Sequence, residues 1–366
     1  MQLENEYRAI GAGAAIADRS YRALLEVTGA DRATWLHNLT TNQVKNLGRG
    51  EGNYAFALNV QGRILFDVNM LVRAESIWLD LDRRFLETAK KHFSKYAITE
   101  DVTVVDRSDE FVRFGLVGPG AATLLAELGV TNARVLPALG QSAIEWNDPS
   151  PGRQDQSRRR EPAVTDQNRD CQGAVHAAVT INRSIPVAVL VVRHDFCGPF
   201  AVELFVPQSI AVDFRTALCD GISGVRAIPV GDDAVQVHRI ESGIPWPGHE
   251  ITDEYLPAET RQLARAVNYQ KGCYLGQEVV ERMRSRAVVA RQLVGLRFDG
   301  PAIPALRYEV SNPEGKPVGQ VTSSCHSPAL NCPIALAYVK TASCSTGSRL
   351  TVAGAPATIA DLPFRI

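Results

Sequence analysis

Three side chains that are able to do chemistry lie within one short stretch of the chain. The segment KGCYLG, residues 271–276, combines a lysine, a cysteine and a tyrosine with two glycines. Glycine gives the backbone freedom, so this composition predicts a loop. A lysine and free helix-terminal N–H groups favour the thiolate, the nucleophilic form of cysteine. Cys273 is therefore a candidate nucleophile with Lys271 and Tyr274 beside it. The alternative is that Cys273 is a small buried residue and Lys271 a solvated charge.

One carboxylate lies in a stretch that otherwise has the composition of a buried strand. Glu203 stands between Val202 and Leu204. Burial of a charge is costly unless an opposite charge or a hydrogen-bond donor accompanies it. The sequence therefore predicts that another group pairs with Glu203 inside the fold.

Strands and helices alternate along most of the chain that must position these residues. Apolar runs predict strands, and apolar residues at helical spacing predict helices between them. The predicted strands include 22–27, 54–58, 64–72, 77–81, 111–117, 187–192 and 200–206, and the predicted helices include 85–96, 119–128, 210–218 and 257–268. Strands that pair with their neighbours and are interleaved with helices indicate an α+β fold. From about residue 288, short strands between Pro, Gly and Ser turns predict a small all-β module.

Two segments break this pattern. Residues 147–173 contain no aromatic residue, Leu or Ile, and the segment is rich in polar residues. It cannot bury enough apolar surface to fold by itself, which predicts a disordered or poorly ordered insertion. Arg282, Arg284 and Arg286 alternate, so an extended backbone would place all three on one face as a docking patch for an acidic partner. The alternative is that they are unpaired arginines facing solvent.

The overall composition excludes several classes of protein. The chain has 366 residues, a formal net charge of -1 and 22% charged residues, which gives no global attraction to nucleic acid or to a membrane. We find neither a membrane span nor a secretory signal, and we expect a cytoplasmic location. The seven cysteines are odd in number and scattered, which favours reduced thiols over a disulfide framework. No metal site is predicted.

Several motifs resemble one family. The octapeptide KGCYLGQE, residues 271–278, resembles the signature of the YgfZ-like proteins, folate-binding relatives of the glycine cleavage T-protein (aminomethyltransferase). Other motifs resemble the same superfamily: WLHNLTTN (35–42), GNY (52–54), QGRILFD (61–67), RIESGIP (239–245) and LPAE (256–259). The resemblance implies ferredoxin-like subdomains around a central opening, followed by a C-terminal β-barrel. It divides the chain into a folate-binding domain, 1–286, and a barrel domain, 287–366.

The same resemblance implies a cofactor, tetrahydrofolate or a one-carbon derivative, and residues to bind it. The superfamily places a pterin-reading Glu on the strand that matches Glu203. A T-protein arginine that contacts folate matches Arg239, for which the alternative is a salt bridge to a neighbour such as Glu241 or Asp233. Tyr54 and Asn53 are further pocket candidates, or else core and turn residues.

The function implied by the resemblance is binding of tetrahydrofolate in support of iron-sulfur cluster assembly or repair, including enzymes that methylthiolate tRNA. Partners would be iron-sulfur client or assembly proteins, with no direct contact to nucleic acid or membrane. T-proteins carry an Asn-rich segment and a catalytic Asp near the strand that matches 77–81, whereas this chain reads DLDRR at 80–84. An aminomethyltransferase or other one-carbon transferase is the alternative, with Asp80 or Asp82 as the acid. A second alternative is a non-catalytic scaffold.

Overall fold

The structure is a computed structural model that describes residues 1–146, 187–286 and 289–364. The insertion predicted at 147–173 lies outside the described residues. The α-helices are α1 (Gln2–Ala12), α2 (Arg32–Leu39), α3 (Leu86–Lys95), α4 (Ala121–Glu127), α5 (Ala211–Asp220), α6 (Asp232–Glu241), α7 (Leu263–Ala266) and α8 (Gln277–Arg286). The strands are β1 (Ala15–Asp18), β2 (Arg22–Thr28), β3 (Gly52–Leu58), β4 (Ile64–Val72), β5 (Ile77–Asp82), β6 (Thr103–Asp106), β7 (Phe111–Val117), β8 (Gln141–Trp146), β9 (Val187–Arg193), β10 (Ala201–Pro207), β11 (Ile228–Val230), β12 (Arg291–Phe298), β13 (Glu309–Ser311), β14 (Pro317–Ser327), β15 (Cys332–Lys340), β16 (Arg349–Val352) and β17 (Ala355–Ala360).

The first sheet is built from residues 22–106 and has the strand order β3-β4-β5-β2-β6. All of its neighbouring strands are antiparallel. Helices α2 and α3 cover one face, where Trp35 and Phe93 pack on Phe66 and Leu79. Strands β2, β4, β5 and β6 with their two helices form a ferredoxin-like unit, to which β3 adds an edge strand.

The second sheet has the order β11-β1-β7-β10-β9-β8. Its pairs are antiparallel except for β1 and β11, which run parallel. Helices α4 and α5 cover one face, where Leu124 and Phe214 pack on Leu116 and Val202. The N-terminal strand β1 therefore lies inside a sheet whose other strands come from residues 111–230.

The uncovered faces of the two sheets meet each other. Phe56 and Leu71 of the first sheet share one apolar cluster with Leu190 and Phe205 of the second, and Val267 belongs to the same cluster. Both faces of each sheet are thus buried, as the long apolar runs in β4 and β10 require. The space between the sheets is the central opening that the candidate site occupies.

A closed barrel follows, with the strand order β12-β15-β14-β13-β16-β17. Its interior holds Leu296, Val321, Ala337 and Ile359. The prediction of an α+β fold with a C-terminal β-barrel is confirmed. Within the described residues, no helix is both long enough and apolar enough to cross a membrane.

Two predictions of local structure were wrong. The helix expected over 257–268 is divided into a 3-10 turn, Pro257–Thr260, and α7, because Arg261 between them has a left-handed φ of 59°. The arginines after Gly276 lie on helix α8, not on an extended chain. Since successive helical residues are about 100° apart, Arg282 and Arg284 lie on opposite sides of α8, and the three arginines do not form one face.

A buried arginine joins the barrel to the rest of the chain. Arg239 on α6 is fully buried, and its guanidinium lies 3.0 Å from Oε2 of Glu250 and 2.6 Å from the hydroxyl of Ser323 on β14. Arg239 thus has the salt bridge that was the alternative to folate contact, although its partner is Glu250 and not Glu241 or Asp233. Its contact with folate stays a prediction. Arg239 lines neither cavity of the candidate site. This placement supports a structural role for Arg239.

Replacing Arg239 with Met is expected to lower the free energy of unfolding by about 3–5 kcal/mol, because the carboxylate of Glu250 would stay buried without its cation. Urea unfolding followed by tryptophan fluorescence measures the loss. The matched control is Arg349→Met, which breaks the exposed ion pair with Asp299 and should cost at most about 1 kcal/mol. Equal losses in the two variants would contradict the structural role.

Candidate functional site

The candidate site has two adjoining spaces, and the larger cavity, with a volume of about 710 Å³, lies between the two sheets. This volume is in the range of small-molecule sites. It is lined by strands β3 and β4 with Asn42, by the segment before β8, by the end of β9, by the segment before the KGCYLG loop and by helix α8. The lining residues with polar side chains are Asn42, Asn53, Tyr54, Asn69, Arg193, His194, Asp195, Arg265, Asn268, Tyr269, Gln270 and Arg284.

A crevice of about 30 Å³ adjoins the cavity, enough for one water molecule. The two spaces share Tyr54, Asn69, His194 and Arg265. The crevice is also lined by further charged and aromatic residues, namely Arg19, Tyr21, Arg22, Asp67, Asp82, Phe196 and Trp246. The four shared residues therefore mark the junction of the cavity and the crevice.

Asp67 lines the crevice beside this junction and makes no ion pair within the described residues. It is 7% exposed, and the Tyr54 hydroxyl donates a 2.9 Å hydrogen bond to its Oδ2. Its Oδ1 has no hydrogen-bond partner within the described part of the chain. Burial raises the pKa of Asp67, against the weaker opposing effect of Arg22. A carboxyl group with a raised pKa beside a cavity is suited to accept and return a proton.

Asp80 behaves differently, because it is surrounded by donors. Arg22 holds it with contacts of 2.8 Å, Arg113 lies 2.9 Å away, and the Asn69 amide donates to Oδ2 at 2.9 Å. Burial opposes ionisation of Asp80, yet the two arginines hold its pKa well below the usual range. Asp82 is paired with Arg84 at 2.9 Å. Neither carboxylate is therefore available as the acid that the sequence suggested.

Glu203 has the partner that its apolar strand predicted. Nη2 of Arg19 lies 2.8 Å from Oε1, and Arg113 lies 3.6 Å from Oε2. Burial opposes ionisation, but the charge of Arg19 lowers the pKa of Glu203 to about 2. Arg19 also stacks 3.9 Å above the ring of Phe196. Glu203 lies in neither cavity lining, whereas Arg19 and His194, which contact it, line the crevice. Its predicted role as pterin reader stays a prediction.

Tyr54 and Asn53, predicted as pocket residues, both lie in the wall of the larger cavity. The guanidinium of Arg265 stacks 4.0 Å above the Tyr54 ring. The Asn53 amide donates to the Gln43 carbonyl at 3.0 Å and accepts from Asn42 at 2.8 Å. Both side chains are thus fixed, and their contact with a ligand stays a prediction.

The three residues predicted as catalytic do not form one constellation. The buried Lys271 amine donates to the carbonyls of Thr40 at 2.5 Å and Asn42 at 2.9 Å, so it caps the end of α2. Tyr274 is buried in the cluster between the sheets, 4.9 Å from that amine. Cys273 is exposed, and none of the three lines the cavity. Lys271 is therefore not a solvated charge and Cys273 is not buried, while their catalytic roles stay predictions.

The sequence contained an unused signal for the residues that the structure brings to the junction. Asp67 and Asn69 are polar side chains two apart on the apolar strand β4, the same pattern that drew attention to Glu203. His194 and Arg265 lie just beyond β9 and within α7, where periodicity gives no indication of a site.

Two protein-family models match this chain, one in its N-terminal part and one in its C-terminal part. Residues 1–140 match the GCVT N-terminal domain, and residues 291–364 match the Glycine cleavage T-protein C-terminal barrel domain. An aminomethyltransferase of Cutibacterium acnes is 27% identical over 365 residues, which cover 98% of this chain and 89% of that protein. An aminomethyltransferase of Herpetosiphon aurantiacus is 27% identical over 350 residues, covering 95% and 84% of the two chains.

A solved structure has the same fold. The crystal structure of the glycine cleavage system aminomethyltransferase T from Bartonella henselae is similar with a TM-score of 0.78. The similarity covers 99% of this chain and 89% of that one, at 19% sequence identity. At this identity the comparison shows the common architecture alone.

The buried Lys271 generates a testable pH dependence. Burial lowers its pKa to about 7, from an ordinary value of 10.5. Between these values the unfolded chain binds more protons, so stability should rise with pH in the wild type relative to Lys271→Met. The free energy of unfolding of the wild type minus that of Lys271→Met, measured by urea titration, should grow by up to about 1.4 kcal/mol per pH unit between pH 7 and 10. The exposed Lys340→Met is the control, and parallel curves for wild type and Lys271→Met would contradict the assignment.

Proposed function

Because the chain belongs to the superfamily of the glycine cleavage T-protein, we propose that it binds a reduced folate in the larger cavity and the adjoining crevice. The observation that carries this proposal is a pair of buried acceptors at the junction, Oδ1 of Asp67 and Oδ1 of Asn69, which have no partner within the described residues. Buried acceptors are costly when unsatisfied, and a pterin ring carries N–H donors on its edge. The residues present therefore fit the cofactor that the superfamily uses.

Two arginines are proposed to hold the acidic tail of the folate. Arg265 and Arg284 line the cavity, are exposed, and stack on the rings of Tyr54 and Tyr269 at 4.0 and 4.3 Å. Among the described residues, the ion-pair partner of Arg284 is Glu281, at the long distance of 3.7 Å. The third arginine of the lining, Arg193, is already paired with Asp195 at 2.7 Å. Carboxylates bind well to such preorganised guanidinium groups.

One-carbon transfer is the chemistry that Asp67 favours, as the second candidate function. A bound reduced folate supplies a ring nitrogen that carries a one-carbon unit. The raised pKa of Asp67, caused by burial, lets this residue hold a proton and release it within the cavity. The Tyr54 hydroxyl holds the carboxyl group through Oδ2, and Oδ1 has no partner within the described residues. An aminomethyl transfer would use the residue in this way.

We also propose a role in iron-sulfur cluster assembly or repair, in the cytoplasm. The KGCYLGQE loop is the part of the chain that supports this role. Its support is that Cys273 is exposed while both flanks of the loop are anchored, by Lys271 on α2 and by the close packing of Gly276 on Leu58 and Asn59. A side chain added at Gly276 would stand 2.8 Å from the Asn59 carbonyl. The loop would thus present its thiol to an iron-sulfur client or assembly protein in a fixed place.

Calorimetric titration with tetrahydrofolate tests the binding proposal. We expect Arg284→Gln to weaken binding about tenfold, because a charge-assisted hydrogen bond to the tail is lost. Arg282→Gln, on the same helix but outside the cavity lining, is the matched control and should bind as the wild type does. No binding by the wild type would refute the proposal and favour the non-catalytic scaffold.

Two variants separate the candidate functions. Asp67→Asn should reduce turnover of an aminomethyl donor with tetrahydrofolate by about 100-fold or more, since it removes the proton acceptor. Cys273→Ser should leave that turnover intact and abolish support of tRNA methylthiolation in cells that lack the native protein. Cys344→Ser, which removes a free thiol outside the KGCYLGQE loop, is the matched control and should leave both activities unchanged. Full support by Cys273→Ser would refute the iron-sulfur role, and absence of wild-type turnover would refute the transferase.

A further inference from the structure

Arg265, one of the two arginines proposed to hold the acidic tail of the folate, lies on a helix of a single turn. Helix α7 has four residues. A single turn is not stable in isolation, and the last carbonyl groups of a helix have no partner within it. The position of the Arg265 guanidinium therefore depends on the contacts that α7 makes with other parts of the chain.

The last three residues of the WLHNLTTN motif include two that supply such contacts. The Thr41 hydroxyl donates to the Ala266 carbonyl at 2.6 Å, and the Asn42 amide donates to the Arg265 carbonyl at 2.7 Å. These donors lie 225 and 223 residues away in sequence from their acceptors. The last two carbonyl groups of α7 are thus capped by side chains of a distant segment.

Asn42 connects α7 to strand β3. Its Nδ2 donates at 2.8 Å to the Tyr54 carbonyl and at 2.8 Å to Oδ1 of Asn53, and its Oδ1 accepts from the backbone N–H of Gln43 at 2.8 Å. The carbonyl groups of Tyr54 and Arg265 can only accept, so they fix which end of the amide faces them. Asn42 is 7% exposed, and both ends of its amide are bonded within the protein. The side chain is therefore a link between two walls of the cavity.

This link brings Arg265 and Tyr54 together. The guanidinium of Arg265 stacks 4.0 Å above the Tyr54 ring, and the carbonyl groups of both residues are bonded to the one amide of Asn42. The Nε of Arg265 also donates to the side chain of Gln262. A guanidinium that stacks on a ring keeps N–H donors at its edge for a carboxylate.

We propose that Asn42 is a positioning residue for the folate tail, which holds Arg265 over Tyr54 so that the guanidinium is in place to pair with a tail carboxylate. The inference rests on the proposed binding of a reduced folate. A guanidinium that is fixed in advance loses less rotamer freedom when it pairs, so its affinity for the carboxylate is higher. Without the Asn42 amide, α7 would lose this bond to β3, and Arg265 would no longer be held over the ring.

A double-mutant cycle with tetrahydrofolate as the ligand tests the inference by calorimetry. We expect Asn42→Ala and Arg265→Gln each to weaken binding about tenfold. The double variant should bind within about twofold of Arg265→Gln, because removal of the guanidinium leaves Asn42 nothing to position. Thr322→Val, which removes a buried hydrogen bond to the Leu336 carbonyl in the barrel, is the matched control and should bind as the wild type does.

The outcomes separate the inference from the proposed function. Wild-type affinity in Asn42→Ala, or an equal loss from this change with and without the Arg265 guanidinium, would overturn the inference alone. Wild-type affinity in Arg265→Gln would overturn it as well, because Arg265 would not hold the tail. No binding by the wild type would refute the proposed function and the inference with it. Asn42→Ser, whose side chain is too short to reach both carbonyl groups, repeats the cycle, and urea unfolding identifies any variant that does not fold.

Discussion

The carboxylate of Asp80 ties the two sheets to each other. Arg22, on the same sheet, and Arg113, on the opposite sheet, both hold it within 3.0 Å. Removal of one partner from a buried ion pair is strongly destabilising, because it leaves an uncompensated charge inside the protein. Arg113 in turn lies 3.6 Å from Glu203, so the charges form one network across the opening. This network therefore links the two sheets on either side of the cavity.

The same network gives the three carboxylates different environments. Asp80 and Glu203 are neutralised by arginines and support the architecture, whereas Asp67 lies beside them with a tyrosine and no close cation. Its proton affinity is therefore raised while theirs is lowered. Pairs of acids whose environments drive their pKa values apart are typical of sites that transfer protons. The charge network thus holds Asp80 and Glu203 in ion pairs and leaves Asp67 with a raised pKa beside them.

Local patterns predicted the strands well, since β4, β7 and β10 begin and end close to where apolar runs placed them. They also predicted that Glu203 is paired. They did not identify its partner Arg19, or the partner Glu250 of Arg239, because ion pairs between distant segments leave no mark on periodicity. The contact of Lys271 with the end of α2 could not be predicted either, because it also joins segments that are distant in sequence. The place of Asp67 required knowledge of which face of β4 meets the second sheet.

The strand β1 gives the chain a distinctive order of assembly. The first sheet uses only residues 22–106 and is complete early in synthesis, whereas the second needs β1, residues 15–18, to meet β11, residues 228–230. Closing so long a loop is entropically costly and slow. Until residue 230 has left the ribosome, β1 and β7 leave an edge open to wrong partners. Strand β1 is therefore among the last elements of the second sheet to find its partner.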